Sequence, residues 1–388
     1  MRKLITLIAI VLLANGCQGG DNKPLPAADQ PGMYKKLLEG KKVGIVANQT
    51  SMVGDEHLVE YLLGQGVSIK VIFTPEHGYR ELAADGEHIG DGTDAATGIP
   101  IRSLYGVRRK PAPGDLTAID VVIYDIQDVG ARFYTYISTL HYVMEACAEN
   151  NVRCIVFDRP NPNGFYFDGN IADTAYSSFV GMHPVPVMHG MTVGEYAKMI
   201  NGEGWLKGGV QCDLTVVKCK NYTHQSLYEL PVRPSPNLPN MTAVYLYPSL
   251  CFFEGTNVSL GRGTSFPFQV YGSPLFSDTG FSFTPESLPE SVKPPLLGMK
   301  CYGVDLRNAV TDKLVPSPEI NLDWVIDAWN KYPEKDKFFN NYFDVLAAGP
   351  VLREQIINGM SSEEIRATWK EGLEKYGRIR DKYLLYEK

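Results

Sequence analysis

Residues 67–81 read VSIKVIFTPEHGYRE. Val67, Ile69, Val71, Ile72 and Phe73 make a short apolar, largely β-branched run that stops at Thr74-Pro75. A run of this length, closed by a proline, reads as a strand buried on both faces. An acid, an imidazole, a glycine hinge and a fixed cation follow: Glu76, His77, Gly78 and Arg80. In open α/β sheets, ligands bind in the crevice at the carboxyl ends of the strands. A Glu-His pair there is placed for acid/base chemistry; the alternative is a capped loop whose charges pair with each other. Other strands in the chain end the same way, and that repetition favours a site.

Upstream, KVGIVA at 42–47 reads as the first strand, ending in Asn48. Residues 55–64 have helical spacing, and residues 82–98 form a long loop rich in Gly and Asp, of the kind that is often functional. Downstream, DVVIY at 120–124 is a buried strand that ends in Asp125 and Asp128. The spacing predicts a helix over 131–150, with Arg132, Tyr134 and Tyr136 in its first turns. RCIVF at 153–157 then ends in Asp158, Arg159 and Asn161. This alternation predicts an α/β fold, with a Rossmann-like parallel sheet domain. The first strand is followed by NQTSMVG, not G-x-G-x-x-G, and no P-loop occurs, so no cofactor is expected.

Beyond His189 the character changes. Thr192 with Glu195 forms a capping box, which gives Glu195 a structural role. Residues 231–239 are proline-rich, and FEGTNVSLGRGT at 253–264 carries Glu254, Asn257 and Arg262 among glycines that let backbone approach a ligand. From about residue 268 the chain reads as a second, smaller α+β domain. Its final helix, over 362–384, has Trp369, Leu373, Tyr376 and Ile379 on one core-facing side. The domains expected are 33–265 and 266–388.

The amino terminus stands apart from the fold. A basic pair, an apolar segment over 4–13 too short to span a bilayer, and Ala14-Asn15-Gly16-Cys17 read as a lipoprotein-type signal peptide, 1–17. Residues 18–32 would be a tether. The mature protein is expected to be exported and lipid-anchored at Cys17, facing the periplasm, and to meet the membrane through that lipid alone. Six further cysteines form no C-x-x-C pair, and their spacing leaves disulfides and free thiols both open. A net charge of −7 gives no basis for a nucleic-acid surface.

A parallel sheet brings strand ends to one edge, so Asn48, Glu76, His77, Arg80, Asp125, Asp128, Arg132, Asp158, Arg159 and Asn161 could share a crevice. Paired carboxylates there suit glycoside hydrolysis or metal-assisted hydrolysis. Arginines suit an acidic substituent on the substrate. Structural readings stand beside these: Asp128 with Arg132, or Asp158 with Arg159, as internal ion pairs, and His189 as a hydrogen-bonded structural group. The histidines show no metal-ligand spacing and no G-x-S-x-G elbow appears.

The motifs PEHGYRE, DIQDVGARFYTY, DRPNP, PVMHGMTVGEYA, PSPNLP and FEGTNVSLGRGTSFPF together resemble the exo-β-N-acetylmuramidase family, from residue 33 to the carboxyl terminus. The resemblance implies a Rossmann-like domain, a smaller domain and a cleft between them. It also implies release of N-acetylmuramic acid from the non-reducing ends of peptidoglycan fragments, and it puts the glutamate of the family's PEHG motif on Glu76. On that reading Glu76 protonates the leaving oxygen, a task suited to a partly desolvated cleft. Asp125 or Asp128, with Glu254 in reserve, is the second carboxylate; the sugar's own N-acetyl group is an alternative nucleophile. His77, Asn161, His189 and Asn257 would hold sugar groups, with Asn48 and Tyr134 also in the site. One or more of Arg80, Arg132, Arg159 and Arg262 would pair with the lactyl carboxylate. The rivals are a non-catalytic muropeptide-binding lipoprotein and a metal-dependent hydrolase.

Overall fold

A computed structural model of the chain describes residues 23–80, 90–310 and 318–388. The signal peptide and Cys17 lie outside the described residues, as does most of the first half of the 82–98 loop. Seven strands make the main sheet: β1 (Lys42–Ala47), β2 (Ser68–Thr74), β3 (Gly92–Thr93), β4 (Pro100–Ser103), β5 (Val121–Asp125), β6 (Arg153–Phe157) and β7 (Leu214–Val217). Their order is β3-β4-β2-β1-β5-β6-β7. All neighbours are parallel except the short edge pair β3–β4.

The apolar runs form these strands because both faces of the sheet are covered. Along β1, Val43, Ile45 and Ala47 face one core, with Leu58, Val59 and Leu62 of the helix Leu58–Gly64. Val46 faces the other, with Phe73, Tyr124 and the helix Tyr136–Glu149. Each Val, Ile, Leu or Phe among them, fully buried, contributes about 1.5–3 kcal/mol.

The second unit holds an antiparallel sheet of β8 (Val270–Ser273), β9 (Ser282–Phe283) and β10 (Cys301–Asp305), in the order β8-β10-β9. The last helix, Ser362–Arg380, opens on a capping box between Ser361 and Glu364 and buries Trp369 and Tyr376. It returns to the first unit, where Tyr376 Oη donates to the His189 carbonyl at 2.7 Å and Arg380 Nε to that of Gly190 at 2.9 Å.

One expectation changes and one open question closes. The helix expected from 131 begins at Tyr136, because 131–132 bridge to another segment: Ala131 pairs with Met188, and the Arg132 amide donates to the Val187 carbonyl at 2.7 Å. The cysteine spacing leaves disulfides and thiols both open; the six cysteines of the described residues are buried thiols with no disulfide among them.

Candidate active site

The turn that ends β2 decides where Glu76 points. The Gly78 amide donates to the Pro75 carbonyl at 3.2 Å, and His77 sits at φ 71°. Positive φ at the third residue is what a type II turn demands. A side-chain-bearing residue there costs about 1–2 kcal/mol, so the turn is held by its surroundings. His77 is buried, Glu76 half-buried. Glu76 Oε2 accepts from Thr135 Oγ1 at 2.9 Å. Thr135 is the N-cap residue of the helix Tyr136–Glu149, and a helix N-terminus favours nearby negative charge.

Glu76 and His77 line a cleft of about 750 Å³, within the ordinary range for small-molecule sites. The segment ahead of the helix supplies Phe133, Tyr134 and Thr135; the loop after β4 supplies Tyr105 and Arg109. Glu254 and Arg262 of the glycine-rich stretch line the cleft as well, with Tyr247, Phe268 and Tyr342. Arg262 donates to Glu254 Oε1 through both Nε and Nη2. Its guanidinium lies 5.2 Å from the Phe268 ring centre. The Tyr134 hydroxyl donates to the Pro234 carbonyl at 2.7 Å, which joins the cleft floor to the PSPNLP stretch. Burial raises the phenol's pKa well above its usual value.

Of the residues expected to converge, the structure therefore brings together Glu76, His77, Tyr134, Glu254 and Arg262. The others are used elsewhere. The usual crevice of a doubly wound sheet lies between β1 and β5, where strand order reverses, and here the chain fills it with its own polar groups. Ser51 Oγ donates to the Asp125 carbonyl. Asp125 is fully buried and takes both Arg159 Nε (2.7 Å) and Nη2 (2.8 Å). Burial raises the Asp125 carboxyl, opposed by that guanidinium. Asn48 caps its own turn, accepting from the Thr50 amide at 2.9 Å and hydroxyl at 2.6 Å.

Asp128 Oδ2 accepts the Gly130 amide at 2.6 Å and lies 3.4 Å from His189 Nε2, with both side chains buried. Asn161 bridges the Asn163 amide and the Met191 carbonyl. A Cβ added at Gly130, whose φ is +84°, would come 2.6 Å from Asn161 Nδ2. Neither expected internal ion pair forms. Arg132 donates to the carbonyls of Asn170, Val185 and Leu346, and burial lowers its pKa to about 10. Asp158 accepts from Thr192 Oγ1, Tyr386 Oη and the Gly194 amide. Arg80 turns away to Glu60 and Asp94. Asn257 is exposed and donates to the Lys337 carbonyl at 2.6 Å.

Sequence reasoning missed Arg109, Thr135, Phe179, Asn237 and Tyr342. Thr135 and Asn237 stand inside quoted motifs, DIQDVGARFYTY and PSPNLP, and only the folded positions single them out. Asn237 is buried against the cleft, and its Nδ2 has no hydrogen-bond partner among the described residues. No group of three or more His, Cys, Asp or Glu side chains among the described residues is arranged to hold a metal ion.

A glutamate presented just past a strand end into a sugar-sized cleft that a second carboxylate, Glu254, also lines suits a glycoside hydrolase on an α/β frame. The chain belongs to the exo-β-N-acetylmuramidase NamZ family: the models of the family's N-terminal and C-terminal parts match residues 43–242 and 245–386. It is 38% identical over 372 residues to the peptidoglycan β-N-acetylmuramidase NamZ of Bacillus subtilis, covering 91% of this chain and 89% of that one. Two crystal structures of DUF1343 family proteins from Bacteroides fragilis share the fold. One has a TM-score of 0.88 at 46% identity, covering 94% of this chain and 99% of the other. The second has 0.82 at 29% identity, covering 95% and 100%.

Proposed function

We propose that the chain removes N-acetylmuramic acid from the non-reducing ends of peptidoglycan fragments, with Glu76 as general acid. The observation that carries the role of Glu76 is its carboxyl, held by the Thr135 hydroxyl in a cleft that Glu254 also lines. Glu76 protonates the departing glycosidic oxygen. Glu254, oriented by Arg262, is the second carboxylate and stabilises the oxocarbenium-like transition state. Asp125 and Asp128 hold the scaffold instead, because neither lines the cleft. Tyr134 and Asn237 contact the sugar, and the aromatic side chains around them give its apolar faces a surface to stack on.

The site works on an exported protein anchored by lipid at Cys17, a reading that rests on the amino-terminal sequence alone. Incubation with a chromogenic β-N-acetylmuramide, beside the matching N-acetylglucosaminide, tests the activity. Release of dye from the muramide alone supports the proposal. Saturable saccharide binding with no dye or reducing sugar released would make the protein a binding lipoprotein instead.

A further inference from the structure

Residues 108–110 are three consecutive cations, Arg108, Arg109 and Lys110. The outer two are neutralised. Arg108 pairs with Asp91 at 2.6 Å and Asp115 at 3.5 Å, and Lys110 pairs with Glu145 at 2.7 Å and Glu149 at 2.6 Å. Arg109 lines the cleft and has no carboxylate partner among the described residues. Packing holds it instead: its guanidinium lies 4.4 Å from the centre of the Phe179 ring. That ring is itself stacked with Tyr142 at 6.3 Å, and the Phe179 carbonyl accepts from Ser138 Oγ, on the helix Tyr136–Glu149, at 2.7 Å. A planar fork held by its face keeps its edge donors available for a carboxylate.

The other arginines considered for an acidic substituent are committed. Arg80, Arg132 and Arg159 do not line the cleft, and Arg262 is bonded to Glu254. An N-acetylmuramyl unit differs from N-acetylglucosamine by its 3-O-lactyl ether, which ends in a carboxylate. We infer that Arg109 binds that lactyl carboxylate and selects muramyl over glucosaminyl ends. The inference rests on the muramidase reading of the cleft. Its energetic basis is a charge-assisted hydrogen bond.

The test compares two chromogenic muramides, one with the free lactyl acid and one with its primary amide. The quantity read is the ratio of their kcat/KM values. R109M should lower this acid-to-amide ratio about 10- to 100-fold, the range expected for hydrogen bonds to a charged group. R109K should retain part of the preference, since it keeps the charge and loses the fork. Calorimetric binding of N-acetylmuramic acid and its lactyl amide gives a second ratio that needs no turnover. Equal losses on acid and amide, which leave the ratio unchanged, would overturn the inference; so would wild-type rates on both substrates, the result expected if Arg109 read a carboxylate on an attached peptide. E76Q should depress both substrates and leave the ratio intact, so failure of the Glu76 assignment is seen separately.

Discussion

Thr135 Oγ1 donates to Glu76 Oε2 across 2.9 Å, tying the turn after β2 to the start of the helix that follows β5. Two elements about 60 residues apart in sequence thereby fix one carboxyl. A glutamate on a turn with one residue at positive φ needs such a brace, because the turn alone leaves its side-chain torsions open.

Replacing Glu76 by Gln keeps shape and hydrogen-bonding reach but removes the transferable proton. We expect kcat to fall about 10²–10⁴-fold, with KM little changed. The loss should shrink for a substrate with a nitrophenolate leaving group, which needs little protonation. Equal losses on natural and activated substrates, with the fold intact, would transfer the acid role to Glu254.

Thr135 is a positioning residue. T135V should lower kcat about 10-fold, the worth of one hydrogen bond to a charged group, while T135S should restore it. The natural leaving group should suffer more than the activated one. A uniform loss on both leaving groups that T135S does not rescue would mean that Thr135 acts through its methyl packing at the helix start and not through Glu76.

The Asp125–Arg159 pair is structural. Breaking it from one side leaves a buried charge alone, so D125N or R159M should cost about 3–5 kcal/mol in urea unfolding. The double variant should cost less than the two single changes added together. Folded D125N should keep its kcat. A specific loss of kcat in stable D125N would return Asp125 to the catalytic machinery.

Asp158 predicts a pH dependence of stability. Burial inside the protein raises it from about 3.8 to about 7, with its hydroxyl and amide donors opposing. The folded chain then keeps this proton at pH values where the unfolded chain has released it. Stability from this group is complete below about 4 and is lost as pH rises through about 7. Across that interval the shift amounts to on the order of 4 kcal/mol. D158N removes the titration, so the difference in Tm between wild type and variant should change across this window and level off outside it. A constant difference would show that Asp158 titrates alike in both states.

Exhaustive dialysis against a chelator should leave turnover unchanged. Loss of activity, restored by one particular divalent ion, would replace the two-carboxylate scheme with metal-assisted hydrolysis.

The sheet was legible because burial on both faces writes itself as short apolar, largely β-branched runs: VSIKVIF, DVVIY and RCIVF each became a strand of the parallel sheet. The Thr192–Glu195 capping box was legible for a similar reason, since its chemistry is complete within four residues. Glu76, at the sharp end of one such strand, stood out by position. The allocation of the remaining polar residues was not legible. Asp125, Asp158 and Glu76 all follow or end buried strands, and in sequence they look alike. The fold makes Asp125 the partner of Arg159 and Asp158 the acceptor of Tyr386, 228 residues away. Arg109 shows the converse: it sits in an unremarkable run of cations, and only packing on Phe179 gives it the cleft. Local patterns report burial and capping because those depend on neighbouring residues. Whether a carboxylate meets a cation, a hydroxyl or open cleft depends on chain segments far away, and tertiary structure alone decides it.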